Sequence, residues 1–325
     1  MATGNYQLSM LGAVATIAAF LSYFAAAEDK NPANRRLVHQ GTERDALYAI
    51  DISQNRILAA GSGTGLLSSY DSGENWKNEI LTDMEFTVFG LAQAGDLTML
   101  VGQEGAVRSR KQTSDPWFVI DTGINERLLN VDVSESGLAV VVGGFGSLAV
   151  SEDFGGSWSI IETDWQAVLD DWFEPHLYDV DVAESQITVV GEFGVVMRSS
   201  DAGKSWVVQS ISDESLFAID LRADGIGYVV GQNGFVARSE DSGVHWTPCS
   251  FDKGGNLFGV SSSDASVVAV GIRSVLLSND ACSSFVSRNG SMETSGWWQD
   301  VVYEAEKDLF YAIGSGGRIL AIDGI

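Results

Sequence analysis

The chain has 325 residues, and its 19 basic against 44 acidic side chains give a formal net charge of -25. A field of that sign repels phosphate backbones and anionic headgroups across a Debye length, so nucleic acid and direct binding to an anionic membrane surface are excluded as partners. Two cysteines and three histidines, no two of the latter at ligand spacing, exclude a disulfide scaffold and a zinc centre and leave no metal or cofactor expected; calcium held by loop oxygens needs neither residue and stays open.

From Leu8 to Ala27 no charged side chain occurs, and the stretch ends in Ala25-Ala26-Ala27 before Glu28. That pattern reads as the apolar core and small-residue cleavage site of an export signal. The same length spans a bilayer, and Met1 to Gln7 carries no Lys or Arg, so an uncleaved anchor is the alternative for residues 1–27. Residues 28–35 read as a linker. Export places the rest of the chain in a periplasm or on another extracytoplasmic side of a membrane.

Beyond the linker the chain repeats. The pattern Ser-x-Asp-x-Gly-x-x-Trp occurs at Ser69-Asp71-Gly73-Trp76, Ser151-Asp153-Gly155-Trp158, Ser199-Asp201-Gly203-Trp206 and Ser239-Asp241-Gly243-Trp246. A fifth copy keeps Ser278, Asp280 and Phe285 but has Cys282 for the glycine, and a sixth, from Ser109 to Trp117, is more blurred. A glycine about ten residues before these aspartates recurs at Gly61, Gly102, Gly143, Gly191, Gly231, Gly271 and Gly314. Seven units of about 40 residues match four-stranded propeller blades and use residues 36–325 as one domain.

In the fifth unit, alternation predicts strands over Leu216–Leu221, Ile226–Val230 and Phe235–Ser239, and the start of a fourth over Trp246–Cys249. The turn Gly231-Gln232-Asn233-Gly234 joins the second and third, glycine supplying the positive φ it needs. The Asp box joins the third and fourth: Ser and Asp bond the backbone of their own turn, Gly takes the left-handed conformation, and Trp folds back on the blade. Asp71, Asp153, Asp201, Asp241 and Asp280, with Trp76, Trp158, Trp206 and Trp246, are therefore structural residues. The last unit stops where its box would stand and lacks a fourth strand. The segment from Arg36 to Gln40 supplies one, closing the ring by its ends. The predicted fold is all-β, a seven-bladed propeller of four-stranded Asp-box blades closed by an N-terminal strand.

With Gly-x-x-Gly, Arg-Ser and Asp-x-Gly-x-x-Trp in succession, at Gly191–Gly194 with Arg198-Ser199 and at Gly231–Gly234 with Arg238-Ser239, the chain resembles Asp-box, or BNR-repeat, propellers of the photosystem II stability and assembly factor type, including relatives in non-photosynthetic bacteria. The resemblance covers residues 36–325. It implies an exported, non-enzymatic binding propeller that assists assembly or stability of a membrane or envelope protein complex; the sequence does not give the oligomeric state, and a monomer is the favoured expectation. Accessory subunit of an envelope transporter is an alternative within the binding class. Asp boxes also occur in sialidase-like secreted glycoside hydrolases, and Tyr48 and Tyr178 fall in first strands, but no arginine trio or nucleophile environment accompanies them.

Loops that vary around the channel mouth are where a propeller binds. The face carrying the Gly-x-x-Gly turns and blade-to-blade links is therefore the expected partner face. The 48-residue spacing from Gly143 to Gly191 marks an insertion there, residues 162–176. Its Trp165, Asp170, Asp171, Trp172, Phe173, Glu174 and His176 suit a basic or amphipathic segment, aromatics giving contact area and acids selecting charge. The alternative is a short helix whose Trp165, Leu169 and Trp172 cap the blades. Arg108, Arg198 and Arg238, at similar places in third strands, form a candidate basic stripe, unless each pairs with an acid such as Glu240. Arg44, Arg127, His176 and Glu214 precede first strands and are expected near the channel mouth. Cys249 and Cys282 lie at different places in neighbouring units, so two separate thiols are expected, one bridge being possible.

Overall fold

The computed structural model describes residues 35–62, 65–79, 81, 86–169, 173–250, 254–287 and 295–324. The export-segment expectation falls on residues 1–34, outside the described residues. Among the described residues are seven four-stranded antiparallel sheets, each ordered as its strands occur in sequence except the last. Blades 1 to 6 run 46–79, 88–120, 128–160, 177–210, 216–248 and 257–287. Blade 7 takes three strands from 298–323, and its fourth is Arg35–His39, paired antiparallel to Arg318–Asp323. The ring thus closes as the sequence predicts, and joining the two chain ends leaves no blade short of its outer strand.

Second strands such as Leu97–Gly102 and Ala139–Gly143 are buried along their whole length. Blades pack against both of their faces, so they read as continuous apolar runs rather than alternating ones. The core is accordingly distributed as clusters between neighbouring blades; Met99, Val101 and Val107 of blade 2, for example, meet Leu128, Val131 and Val141 of blade 3. Fourth strands are short and exposed, as at Ser159–Ile160 and Thr247–Pro248.

In every blade the register slips by one residue near the start of the first strand, a β-bulge at Tyr48, Phe89, Leu129, Tyr178, Phe217, Phe258 and Gln299. Opposite each bulge lies one of the seven periodic glycines. A Cβ on Gly61 would stand 1.9 Å from the Ala46 carbonyl oxygen, and one on Gly231 2.0 Å from that of Ser215. This close backbone approach explains the glycine period, and a bulge re-aims the side chain that bears it. In the tight turns the positive φ falls on two consecutive residues, Asn233 (55°) and Gly234 (70°), while Gly231 is extended.

The cysteines depart from expectation. Cys249 and Cys282 form a disulfide with their Cα atoms 5.7 Å apart. Their places within a unit differ, but the outer strand of blade 5 ends beside the Asp box of blade 6, and adjacency across the blade boundary brings them together.

Candidate functional site

The Asp boxes are closed hydrogen-bond units. Ser199 Oγ donates to Asp201 Oδ1 (2.8 Å) and accepts from the Gly203 N–H (2.8 Å); Asp201 accepts from the Ser205 N–H (2.8 Å) and hydroxyl (2.7 Å). Trp206 Nε1 donates to the Gly203 carbonyl at 3.0 Å. Bonds of this kind, led by those from Asn75, Ser157, Ser205 and His245, hold the carboxyls of Asp71, Asp153, Asp201 and Asp241 down at about 2. These aspartates thus direct their carboxylate oxygens to their own turns.

The sixth copy begins at Arg110, not Ser109. Arg110 pairs with Thr98 in the register where Ser199 pairs with Ile187, and Trp117 follows seven residues on, as Trp206 follows Ser199. Its guanidinium, 1% exposed, stacks 4.4 Å from the Trp117 ring centre and bonds Glu79 at 2.6 Å. An ion pair and a cation–π contact stand in this blade where others have the Ser–Asp bonds.

First strands line the central channel, and here the sequence reading missed a set of residues. Asp51, Asp132, Asp179, Asp181, Asp220 and Asp300 face inward and reach across blade boundaries. Asp300 accepts from the Ile50 N–H (3.1 Å), Asp132 from Val182 (2.6 Å), Asp179 from Ile219 (2.8 Å), Asp181 from Leu221 (3.2 Å), and Asp220 from the Ser262 hydroxyl. Asp51, Asp132, Asp179, Asp220 and Asp300 line the channel cavity, and all six are half-buried. Burial pushes Asp51 up to about 8, Asp179 to about 7, Asp132, Asp220 and Asp300 to about 6, and Asp181 well above the usual carboxylate range. Recurring acids in apolar strands, as in Leu47–Asp51 and Leu216–Asp220, were the available signal.

Above these carboxyls the bulged residues gather at the channel mouth. Tyr178 meets Phe217 (5.0 Å between ring centres) and Phe217 meets Phe258 (5.5 Å); Tyr48 contacts Phe89 (5.6 Å) and stacks on Trp297 (5.6 Å). Outward from Tyr178 the arc continues through His176 to Phe145 at 5.0 Å. Phe173 packs on Phe193 at 5.5 Å.

The 162–176 insertion divides into two roles. Residues Trp165–Leu169 form a short helix whose Trp165 is buried among Leu148, Leu177 and Val195, with Leu169 packed on the same cluster. This is the capping arrangement. Phe173 and Glu174 are exposed, and His176 is half-buried, its Nδ1 accepting from the Phe145 N–H at 3.0 Å and its own N–H donating to Glu192 at 2.8 Å. Asp170, Asp171 and Trp172 lie outside the described residues.

The arginines do not form a stripe. Arg108 pairs with Leu100, two residues before its blade's glycine, whereas Arg198 and Arg238 pair with Thr188 and Tyr228, three before theirs. One residue of offset on a strand puts a side chain on the opposite sheet face. Arg108 lies 5.4 Å from the Phe86 ring centre, Arg198 beside the Asp-box glycine Gly243, and Arg238 in an ion pair with Glu240. Arg127 reaches the channel mouth over Phe89 at 5.4 Å, Arg44 is exposed, and Glu214 accepts from the Asn233 side chain at 2.9 Å.

Residues 109–214 match the family model of the photosynthesis system II assembly factor YCF48, a stretch that runs from the end of blade 2 through blade 4 and includes the insertion. No curated protein matches the chain. Among solved structures, YCF48 from Cyanidioschyzon merolae superposes with a TM-score of 0.72 at 16% identity, covering 89% of this chain and 98% of that one. YCF48 bound to D1 peptide gives 0.68 at 15% identity over 92% and 99% of the two chains. The WD40 β-propeller domain of Doa1 gives 0.70 at 9% identity over 90% and 98%. At these identities the superpositions establish the fold. The family match bears out the resemblance to the assembly-factor propellers over the blades it spans.

Proposed function

We propose that this chain, an Asp-box propeller similar to YCF48, is a non-enzymatic binding scaffold on the extracytoplasmic side of a membrane. It assists the assembly or stability of a membrane protein complex by holding one of its subunits. The observation that carries this reading is the aromatic arc from Phe145 through His176 and Tyr178 to Phe258, lying on the turn-bearing face within and beside the stretch that matches the assembly-factor family. Half-exposed aromatics grouped on one face supply contact area at low entropy cost and favour a macromolecular partner. A structural relative held with a peptide of D1 supports the same class of partner. The channel carboxyls do not favour a glycoside hydrolase, since they spend their oxygens on N–H and hydroxyl groups of adjacent blades.

Affinity capture with the tagged full chain from its native membranes, in mild detergent at low and high salt, tests this. The expected result is a defined membrane complex at low salt whose recovery falls at high salt, since an acidic chain engages its partner partly through charge. Recovery of no membrane protein at either salt would overturn the reading.

A further inference from the structure

Four equivalent turn tips face the same way but carry different residues. In blades 2 to 5 the first positive-φ position is held by Glu104, Phe145, Phe193 and Asn233, with φ of 55°, 55°, 56° and 55°. Asn tolerates this left-handed conformation, and a bulky aromatic side chain does so poorly. Phe145 and Phe193 are nonetheless 61% and 46% exposed, so neither strained position is compensated by burial in the core. Strain kept at an exposed position that gives the fold little in return is where a binding role belongs.

These two tips stand beside the 165–169 helix, and a cavity opens on each side of it. One, of about 430 Å³, is walled by Phe145, Ile160 and Trp165 with Glu126, Glu162 and Glu174. The other, of about 320 Å³, is walled by Val168, Leu169, Phe173 and Phe193 with Asp213. Among the described residues every charged side chain in these walls is acidic, and the whole chain carries -25.

We infer that this part of the turn-bearing face binds an extended segment of a partner protein that presents two apolar side chains flanked by lysine or arginine. The apolar groups enter the two cavities, one against Phe145 and one against the Phe173–Phe193 pair. The flanking cations meet Glu126, Glu162, Glu174 and Asp213. Cavities that combine aromatic and aliphatic walls with an acidic rim reject acidic segments by like-charge juxtaposition and select basic ones. This assignment rests on the binding-scaffold reading and gives its partner a chemistry.

The test uses the full chain and two soluble dye-labelled peptides, one with two leucines each flanked by lysines, the other with every lysine replaced by glutamate. Fluorescence anisotropy is followed with the wild-type protein and with the double variant Phe145→Asn, Phe193→Asn. The lysine peptide is expected to bind at least about tenfold more tightly than its counterpart, and the double variant to weaken it by about tenfold or more, the scale of losing hot-spot aromatics. Because asparagine suits the left-handed position and the net charge is unchanged, thermal stability is expected to hold or rise while binding falls. Equal binding of the two peptides, or undiminished binding by the double variant, would overturn the site. Capture of the membrane complex by the double variant at wild-type yield would also overturn it, while leaving the scaffold reading in place.

Discussion

At the scale of single residues, the Asp box shows how few atoms fix a turn. The Ser199 hydroxyl serves Asp201 and Gly203, the Asp201 carboxylate ties down Ser205, and the Trp206 indole closes the unit on Gly203. Trp206 is half-buried and packs between blades beside Met197 and Val180. Its truncation therefore removes both a hydrogen bond and packing area, though less than for a fully buried ring. Trp206→Ala is expected to lower unfolding free energy by about 2–4 kcal/mol in urea titration; no measurable loss would mean the box is dispensable in that blade.

At the scale of elements, blade 6 keeps the Ser–Asp bonds of its box but loses the glycine. Cys282 stands where other boxes have glycine and adopts φ 68°, while its sulfur is joined to Cys249 of the preceding blade, 33 residues away. The left-handed conformation costs a non-glycine residue about 1 kcal/mol, and closing a loop of that size offers about 3–4 kcal/mol through the unfolded state. The bridge therefore outweighs the strain. Cys282→Gly is expected to unfold about 2–3 kcal/mol more easily than the oxidised wild type yet to be about 1 kcal/mol more stable than the reduced wild type, because it keeps the relaxed turn. Parallel denaturation with and without reductant checks both signs.

At the scale of the whole molecule, the ring is joined through its channel by inward carboxyls whose folded-state pKa values lie above the ordinary one. Such a group holds extra protons in the native state, so its penalty is full above the folded value and vanishes below the unfolded value near 4. For Asp51 at about 8, Asp179 at about 7 and Asp132, Asp220 and Asp300 at about 6, stability rises as pH falls from about 8 towards 5. The Asp-box carboxyls act the other way: their contribution is complete above about 4 and is lost as pH falls through about 2. The thermal midpoint is expected to be highest in mild acid and to fall on both sides. Asp51→Asn should flatten the alkaline side, because an amide there does not ionise. A midpoint that climbs steadily to pH 8 would contradict this assignment of the channel carboxyls.

The blade count, the single ring, the closing strand and the self-bonded Asp-box turns were legible in the sequence. Each of these is written in local patterns: a glycine required by close backbone approach, a Ser-Asp-Gly-Trp turn bonded to itself, and apolar runs that fit only between blades. The aromatic and acidic residues of the insertion were legible too, but their division into the buried Trp165 and the exposed Phe173 was not, because burial depends on what a neighbouring blade places above the helix. Tertiary structure alone decided three other features. Arg108 proved out of register with Arg198 and Arg238, since facing on a strand is set by pairing. The Cys249–Cys282 bridge arose from contact across a blade boundary, which spacing within a repeat does not encode. The channel carboxyls, read singly as ordinary acids in a strongly acidic chain, became a connected set only when seven first strands were brought around one axis, where each could reach the backbone or a hydroxyl of the next.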